Sequence, residues 1–224
     1  MRREIISQKP NCKESFAMIH YIFADMLDDY SKLRDSMFSD RGAQFKDRLK
    51  WDVDVDQYGK ERDQYEREAP LYLIAATPDG RHAGSMRFLP TTGRKMVHEH
   101  FLGSTDGVRM GDVPFIFEFT RFCLSPNAPR ETAAKLMLGA AEMGLASGLS
   151  HAVGIFYAPM ILVCRRLGWS PTILGTKGEG RDAVSVGLWT FTADVLPSLR
   201  SMSGIQEEES QTWIRNAFGP RLVA

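Results

Sequence analysis

Residues 115–124, FIFEFTRFCL, constrain the fold more than any other stretch of this chain. They form the strongest strand signal in the sequence, rich in aromatics and ended by Ser125 and Pro126. Strict alternation puts Phe115, Phe117, Phe119 and Arg121 on one face, and Ile116, Glu118, Thr120 and Phe122 on the other. Each face therefore receives a charge among apolar side chains, where an ionised group is costly unless it is paired or used. Bringing Glu118 and Arg121 into one cleft requires a local bulge, a device that re-aims side chains beside active sites. The alternative is a buried structural Glu/Arg pair.

The flanking patterns build a sheet around this strand. Residues 71–76 are a compact apolar run, Pro78, Asp79 and Gly80 supply turn chemistry, and residues 82–89 resume as a second strand, which together predict a hairpin. After the aromatic strand come a helix over about 132–146, a strand over 151–157, a helix from Pro159 to Leu167 stopped by Gly168, and a strand over 184–191. Upstream, Phe16, Ile19, Phe23, Met26, Leu27, Tyr30, Leu33 and Met37 recur at three- and four-residue steps, which predicts a helical region over 1–40. Residues 40–70 mix charges with isolated aromatics and have no sustained period. The segment 197–224 carries Glu207, Glu208 and Glu209 before Trp213, Ile214 and Phe218, and is expected to be a peripheral tail. The pattern implies an α/β chain with one mixed sheet and helices on its faces, and no internal repeat.

At 224 residues, 43% of them hydrophobic, one domain spanning 1–224 with one good core is expected. Lys plus Arg and Asp plus Glu number 28 each, so no net field draws the molecule to nucleic acid or an anionic membrane. Cys12, Cys123 and Cys164 lack the spacing of a zinc site or a disulfide framework. There is neither a signal-peptide pattern nor a stretch approaching the ~20 apolar residues of a spanning helix. A cytoplasmic protein without a metal is expected.

Four clusters place charge beside apolar segments. Arg41, Phe45 and Trp51 in RGAQFKDRLKW set a guanidinium beside two aromatics, which suits a carboxylate and an adenine or sulfonium, or else marks a helix end with two core rings. Glu61, Asp63 and Glu66 in ERDQYE gather carboxylates that suit a cationic substrate or face solvent. Arg87 in HAGSMRFLP anchors an acidic group in a cleft or pairs with a buried carboxylate. Glu118 and Arg121, with Thr120 between them, make the fourth.

Taken in order, these clusters resemble the LuxI-type acyl-homoserine-lactone synthases, or autoinducer synthases, which share the fold of the GNAT acetyltransferases. The match runs from about Arg41 to Phe191. The family's Arg, Phe and Trp are met by Arg41, Phe45 and Trp51. Its acidic pair looks like Asp63 and Glu66, its strand arginine like Arg87 before Leu89, Pro90 and Thr91, its later phenylalanine like Phe101, and its Glu-x-x-Arg strand like Glu118 to Arg121. Two departures stand out: Glu66 replaces the usual Asp, moving a carboxylate by about one C–C bond, ~1.5 Å, and some forty residues precede Arg41, where the family usually has fewer.

The resemblance implies an acyltransferase for quorum sensing. It would move an acyl group from acyl carrier protein or coenzyme A to the amine of S-adenosylmethionine, both being substrates rather than cofactors, and release methylthioadenosine as the lactone closes. Glu118 is then the expected base. Arg41 and Arg121 would hold carboxylates or order the acidic groups, Asp63 and Glu66 would steady the cation, and the opened strand would give a backbone amide to the oxyanion. Met137, Leu138, Val153, Gly154, Ile155 and Met160 are the expected acyl-tunnel walls. A hydroxyl residue often stands at the position of Gly154 in members making 3-oxo products, so glycine points to an unsubstituted chain, unless it serves only close packing. Lys135, Arg165 and Arg166 are candidates for meeting an acidic carrier or the phosphates of coenzyme A. A monomer is expected. Two other classes remain open. A GNAT acetyltransferase acting on another amine would need a Gly-rich pyrophosphate loop, and residues 125–132 contain Arg130 and no glycine. A non-catalytic acyl-ligand-binding domain would bind thioester without releasing methylthioadenosine.

Overall fold

A computed structural model describes residues 18–101 and 113–219. Its elements run β1 (Met18–Phe23), α1 (Ser31–Gly42), β2 (Leu71–Ala76), β3 (His82–Pro90), α2 (Met96–Phe101), β4 (Ile116–Leu124), α3 (Thr132–Ala146), β5 (His151–Tyr157), α4 (Ala158–Leu167), β6 (Thr172–Lys177), β7 (Val184–Thr190), α5 (Leu196–Ser203) and α6 (Glu207–Phe218). The strands form one sheet in the order β1-β2-β3-β4-β5-β7-β6. Strands β1 to β4 are an antiparallel meander, β4 and β5 are parallel, and β7 pairs antiparallel with both β5 and β6. The parallel pair needs a crossover, and α3 supplies it.

One face of the sheet, with Leu73, Met86, Phe88 and Phe119, packs against Leu136, Met137 and Ala140 of α3, and the same core takes in Leu199 of α5 and Trp213 and Ile214 of α6. On the other face, Leu33, Met37 and Phe38 of α1 cover Tyr72 and Ile74, and further along Val97 of α2 meets Val153 and Val186. Helices thus flank both faces of a mixed α/β sheet.

Three local differences from the sequence pattern have physical causes. The expected helical region over 1–40 begins, within the described residues, with strand β1, paired in register from Met18↔Ala76 to Phe23↔Leu71. Its six residues include Ile19, Tyr21, Ile22 and Phe23, good strand formers, and over so short a run three- and four-residue steps do not separate a helix from a strand. Strand β6 went unpredicted because its residues sit at the sheet edge with none buried, so no alternation marks them. The segment expected to be a peripheral tail forms α5 and α6, and Trp213 and Ile214 are buried, 6% and 2% exposed. That apolar stripe is part of the core.

Candidate active site

The site is built on the face shared by β3, β4 and α1. Arg87 and Thr120 are cross-strand partners, as are Leu89 and Glu118, so their side chains lie together on this face. Between these pairs and the next, the register shifts: Ser85 opposes Cys123 while Arg87 opposes Thr120, so one residue of β3, Met86, faces two of β4, Arg121 and Phe122. This is the bulge required for Glu118 and Arg121 to share a cleft. Arg121 takes the left-handed conformation at φ 53°, which a non-glycine residue adopts at some cost in strain. The extra residue reverses the alternation, sending Phe122 to the core with Phe117 and Phe119 and Arg121 to the site.

The remaining groups come from the stretch between α1 and β2. Helix α1 runs on into a π-helical stretch, Ala43–Arg48, of the kind common at functional sites. At Gly42 the following loop comes so close that an added Cβ would lie 2.0 Å from the Gly59 carbonyl oxygen. Glycine is required there, and the contact brings Glu61 under Arg41.

Three guanidiniums and three carboxylates interlock. Arg41 donates from Nε to Glu61 at 2.6 Å and from Nη2 to Glu66 at 2.9 Å. Arg87 grips both oxygens of Asp63 at 2.7 and 2.8 Å, reaches Glu66 at 2.8 Å, and donates from Nε to the Thr120 hydroxyl at 2.9 Å. Arg121 reaches Glu61 and Asp63, each at 2.8 Å. Charge is balanced within the cluster, as burial demands. Burial opposes ionisation of Asp63, yet the Arg87 and Arg121 guanidiniums outweigh it and hold its carboxyl below the usual range. Burial also lowers the Arg121 pKa, against the pull of Glu61 and Asp63.

Glu118 stands apart from these pairs. It is 1% exposed, and its two oxygens accept the backbone amides of Met96 and Val97 at 2.9 and 2.8 Å, where α2 begins. Burial raises its pKa to about 7, although the two amides and nearby Arg87 pull the other way. Such a carboxyl exchanges a proton near neutrality.

Next to the bulge, β4 and β5 separate, their last pair being Phe119↔Gly154. The gap holds a cavity of about 60 Å³ lined by Thr120, Arg121 and Phe122 from β4, by Gly154, Ile155 and Phe156 from β5, and by Met86, Met137, Met160 and Trp189. An apolar cleft thus opens at the strand that carries Glu118 and Arg121.

Residues 15–194 match the family described as autoinducer synthase. An acyl-homoserine-lactone synthase of Rhizobium etli is 40% identical over 201 residues, covering 86% of this chain and 94% of that protein. The chain belongs to the autoinducer synthase family. Among solved structures, BjaI, a CoA-dependent acyl-homoserine lactone synthase with SAM and isopentyl-CoA, superimposes with a TM-score of 0.73 at 22% identity, covering 88% of this chain and 99% of its own. A putative N-acetyltransferase from Lactobacillus plantarum superimposes with a TM-score of 0.51 at 14% identity, over 78% of this chain and 99% of that one. These two likenesses establish the fold, which is the GNAT-like mixed sheet expected.

Against the autoinducer synthase pattern, Arg41, Asp63, Glu66, Arg87, Thr120 and Arg121 converge in one network. Phe45 lies under Arg121, whose guanidinium carbon is 5.4 Å from the ring centroid, and Trp51 stacks on Phe45 at 4.9 Å. Phe101 is not in the network and packs with Val97 and Val153. Arg41 and Arg121 are ion-paired with the protein's own carboxylates, Arg41 with Glu61 and Glu66 and Arg121 with Glu61 and Asp63.

Four of the six expected tunnel residues, Met137, Gly154, Ile155 and Met160, line the cavity. Leu138 and Val153 do not. Leu138 is on a helix and Val153 on a strand where a one-residue step turns the side chain elsewhere, into the core beneath α3 and into the α2 side of the sheet. The basic trio also divides: Arg165 and Arg166 are exposed on α4, whereas Lys135 is buried in α3 with its ammonium 3.7 Å from Glu131. Lys135 therefore presents no surface to a carrier.

Two residues went unselected. Glu61, fully buried, joins Arg41 to Arg121, and the acidic triplet contained it without marking it above its neighbours. Tyr157 stacks on Trp51 at 5.0 Å, and no local pattern announces that contact. Among the described residues no group of three His, Cys, Asp or Glu side chains is placed to hold a metal ion, and no helix is long and apolar enough to cross a membrane.

Proposed function

We propose that this acyl-homoserine-lactone synthase uses Glu118 as the base that frees the substrate amine, and the cleft between β4 and β5 as the seat of the acyl thioester. The observation that carries this is a buried carboxyl of pKa about 7 on β4, two residues before the stretch from Thr120 to Phe122 that walls an apolar cavity where β4 bulges and leaves β5.

The amine of S-adenosylmethionine is protonated in water, and a protonated amine cannot attack a carbonyl. Glu118 accepts that proton through a bridging water, both carboxylate oxygens being occupied by the α2 amides. The amine nitrogen then attacks the thioester carbonyl carbon. A C–N bond forms, the C–S bond breaks, and the thiol departs with its proton. Beyond Phe119 the β4 backbone leaves β5 unpaired, which suits an amide of that strand to the developing oxyanion. The methionine carboxylate next attacks the carbon bonded to the sulfonium, closing the lactone and expelling methylthioadenosine.

Asp63 and Glu66, fixed by Arg87 and Arg41, form a rigid acidic edge for the sulfonium and ammonium. Rigidity of this kind lowers the reorganisation needed when charge moves. The glycine at 154 leaves the cavity without a hydroxyl at that point, which favours an unsubstituted acyl chain. The donor is a thioester of acyl carrier protein or coenzyme A.

Purified protein given S-adenosylmethionine and the same acyl chain on each carrier tests this. Lactone and methylthioadenosine should appear in equal amounts with at least one donor, by mass spectrometry. Thioester consumption with neither lactone nor N-acylated S-adenosylmethionine formed would overturn the proposed amine transfer.

A further inference from the structure

Where β4 and β5 part, a column of stacked groups bridges them. Arg121 of β4 lies over Phe45 at 5.4 Å, Phe45 stacks on Trp51 at 4.9 Å with the rings 11° apart, and Trp51 stacks on Tyr157 of β5 at 5.0 Å and 23°. The strands are paired only as far as Phe119↔Gly154, so Arg121 and Tyr157 both lie beyond their last common contact. The middle of the column comes from outside the sheet, from the π-helical stretch and the loop after it. The same gap holds the apolar cavity, whose walls include Arg121 on one strand and Phe156 on the other.

Each ring has a different degree of freedom. Phe45 is buried, 1% exposed, and is held by the fold. Trp51 is partly exposed on a loop without regular structure; its backbone amide donates to the Phe45 carbonyl at 2.9 Å and its carbonyl accepts from the Val53 amide at 3.0 Å, while its ring is stacked between Phe45 and Tyr157. Tyr157 belongs to a paired strand, opposite Val184 of β7, and is rigidly placed. Offset and parallel aromatic pairs have a defined geometry, so a ring fixed on both sides keeps its plane.

We propose that Tyr157 is a positioning residue that fixes Trp51 for S-adenosylmethionine. This deepens the function above and rests on it, with Phe45 and Trp51 taken, as the sequence pattern suggests, to be the rings that meet the adenine or sulfonium of S-adenosylmethionine. Tyr157 acts through Trp51 by its ring face, and its hydroxyl is not needed. Its loss leaves the Trp51 ring to sample other side-chain positions, and the binding of S-adenosylmethionine then has to order it.

The test is the affinity for S-adenosylmethionine, measured by calorimetry without any acyl donor, for wild type, Tyr157→Ala, Tyr157→Phe, Trp51→Leu and the Tyr157→Ala/Trp51→Leu double variant. Tyr157→Ala should weaken binding about two- to tenfold, the range one aromatic stacking contact corresponds to. Tyr157→Phe should bind as wild type. Adding Tyr157→Ala to Trp51→Leu should cost nothing further, because the two act as one unit. Additive losses, unchanged binding in Tyr157→Ala, or a Tyr157→Phe as weak as Tyr157→Ala would each overturn the proposal. Methylthioadenosine release, assayed with acyl thioester in the same preparations, reports separately on the reaction: wild type that binds but releases none would refute the proposed chemistry and leave the positioning role standing.

Discussion

Replacing Glu118 by glutamine should separate the stability of this fold from its activity, and the sign depends on pH. In the folded chain the Glu118 pKa is about 7, against an ordinary value of 4.5. A carboxyl whose folded pKa is raised binds a proton more tightly folded than unfolded, so stability is greatest below the unfolded pKa and declines as pH rises through the window between the two. The shift of roughly 2.5 units corresponds to about 3 kcal/mol, lost between about pH 4.5 and 7. Glutamine does not titrate and escapes that loss. It does keep only one good acceptor for the two amides of Met96 and Val97, a defect of about 1–3 kcal/mol that is the same at every pH. Relative to wild type, Glu118→Gln should therefore be the less stable protein at pH 5 and gain about 3 kcal/mol on it by pH 8. Urea unfolding at the two pH values measures the difference. Turnover per folded molecule should fall about 10²- to 10⁴-fold at pH 8, the usual contribution of a general base. A constant stability difference across pH, with turnover of the folded fraction intact, would reduce Glu118 to a cap on α2 and refute the reasoning.

Two further substitutions probe the network and the cavity. Glu61→Gln leaves the buried guanidiniums of Arg41 and Arg121 short of a countercharge and should destabilise the fold by about 3–5 kcal/mol in chemical denaturation; a loss below about 1 kcal/mol would mean that Asp63 and Glu66 suffice. Met137→Ala and Leu138→Ala should differ in kind. The first enlarges the cavity and shifts the lactones seen by mass spectrometry toward longer acyl chains, while the second costs about 2–5 kcal/mol of stability and leaves the products unchanged. The reverse pattern would place the acyl chain elsewhere.

What the sequence disclosed follows from how local each signal is. Strands β4 and β5 and helix α3 were legible because their burial alternates, or runs, within a single element. The bulge at Arg121 was inferable from a chemical demand, two opposite charges on opposite faces of one strand, rather than from any turn residue. Strand β1 was misread as helix because six residues hold too few repeats to distinguish two periods, and β6 left no signal because an edge strand with no buried residue has no alternation to show. At the site, the order of charged residues along the chain announced convergence, since each is costly alone. It could not announce the partners. That Glu61 ties Arg41 to Arg121, that Tyr157 meets Trp51, and that Lys135 is buried all depend on contacts between segments far apart in the chain. Leu138 and Val153 lie away from the cavity for a subtler reason: choosing the helix and the strand does not choose the face.

The pH dependence of a single acyl transfer by the wild-type protein, measured by rapid quench with saturating S-adenosylmethionine and acyl thioester, bears most directly on the chemistry assigned to Glu118. The rate should rise with pH to a plateau, half-maximal near 7, as Glu118 loses its proton. A rate that stays level from about pH 5.5 to 8.5, well outside a unit either side of that midpoint, would contradict it.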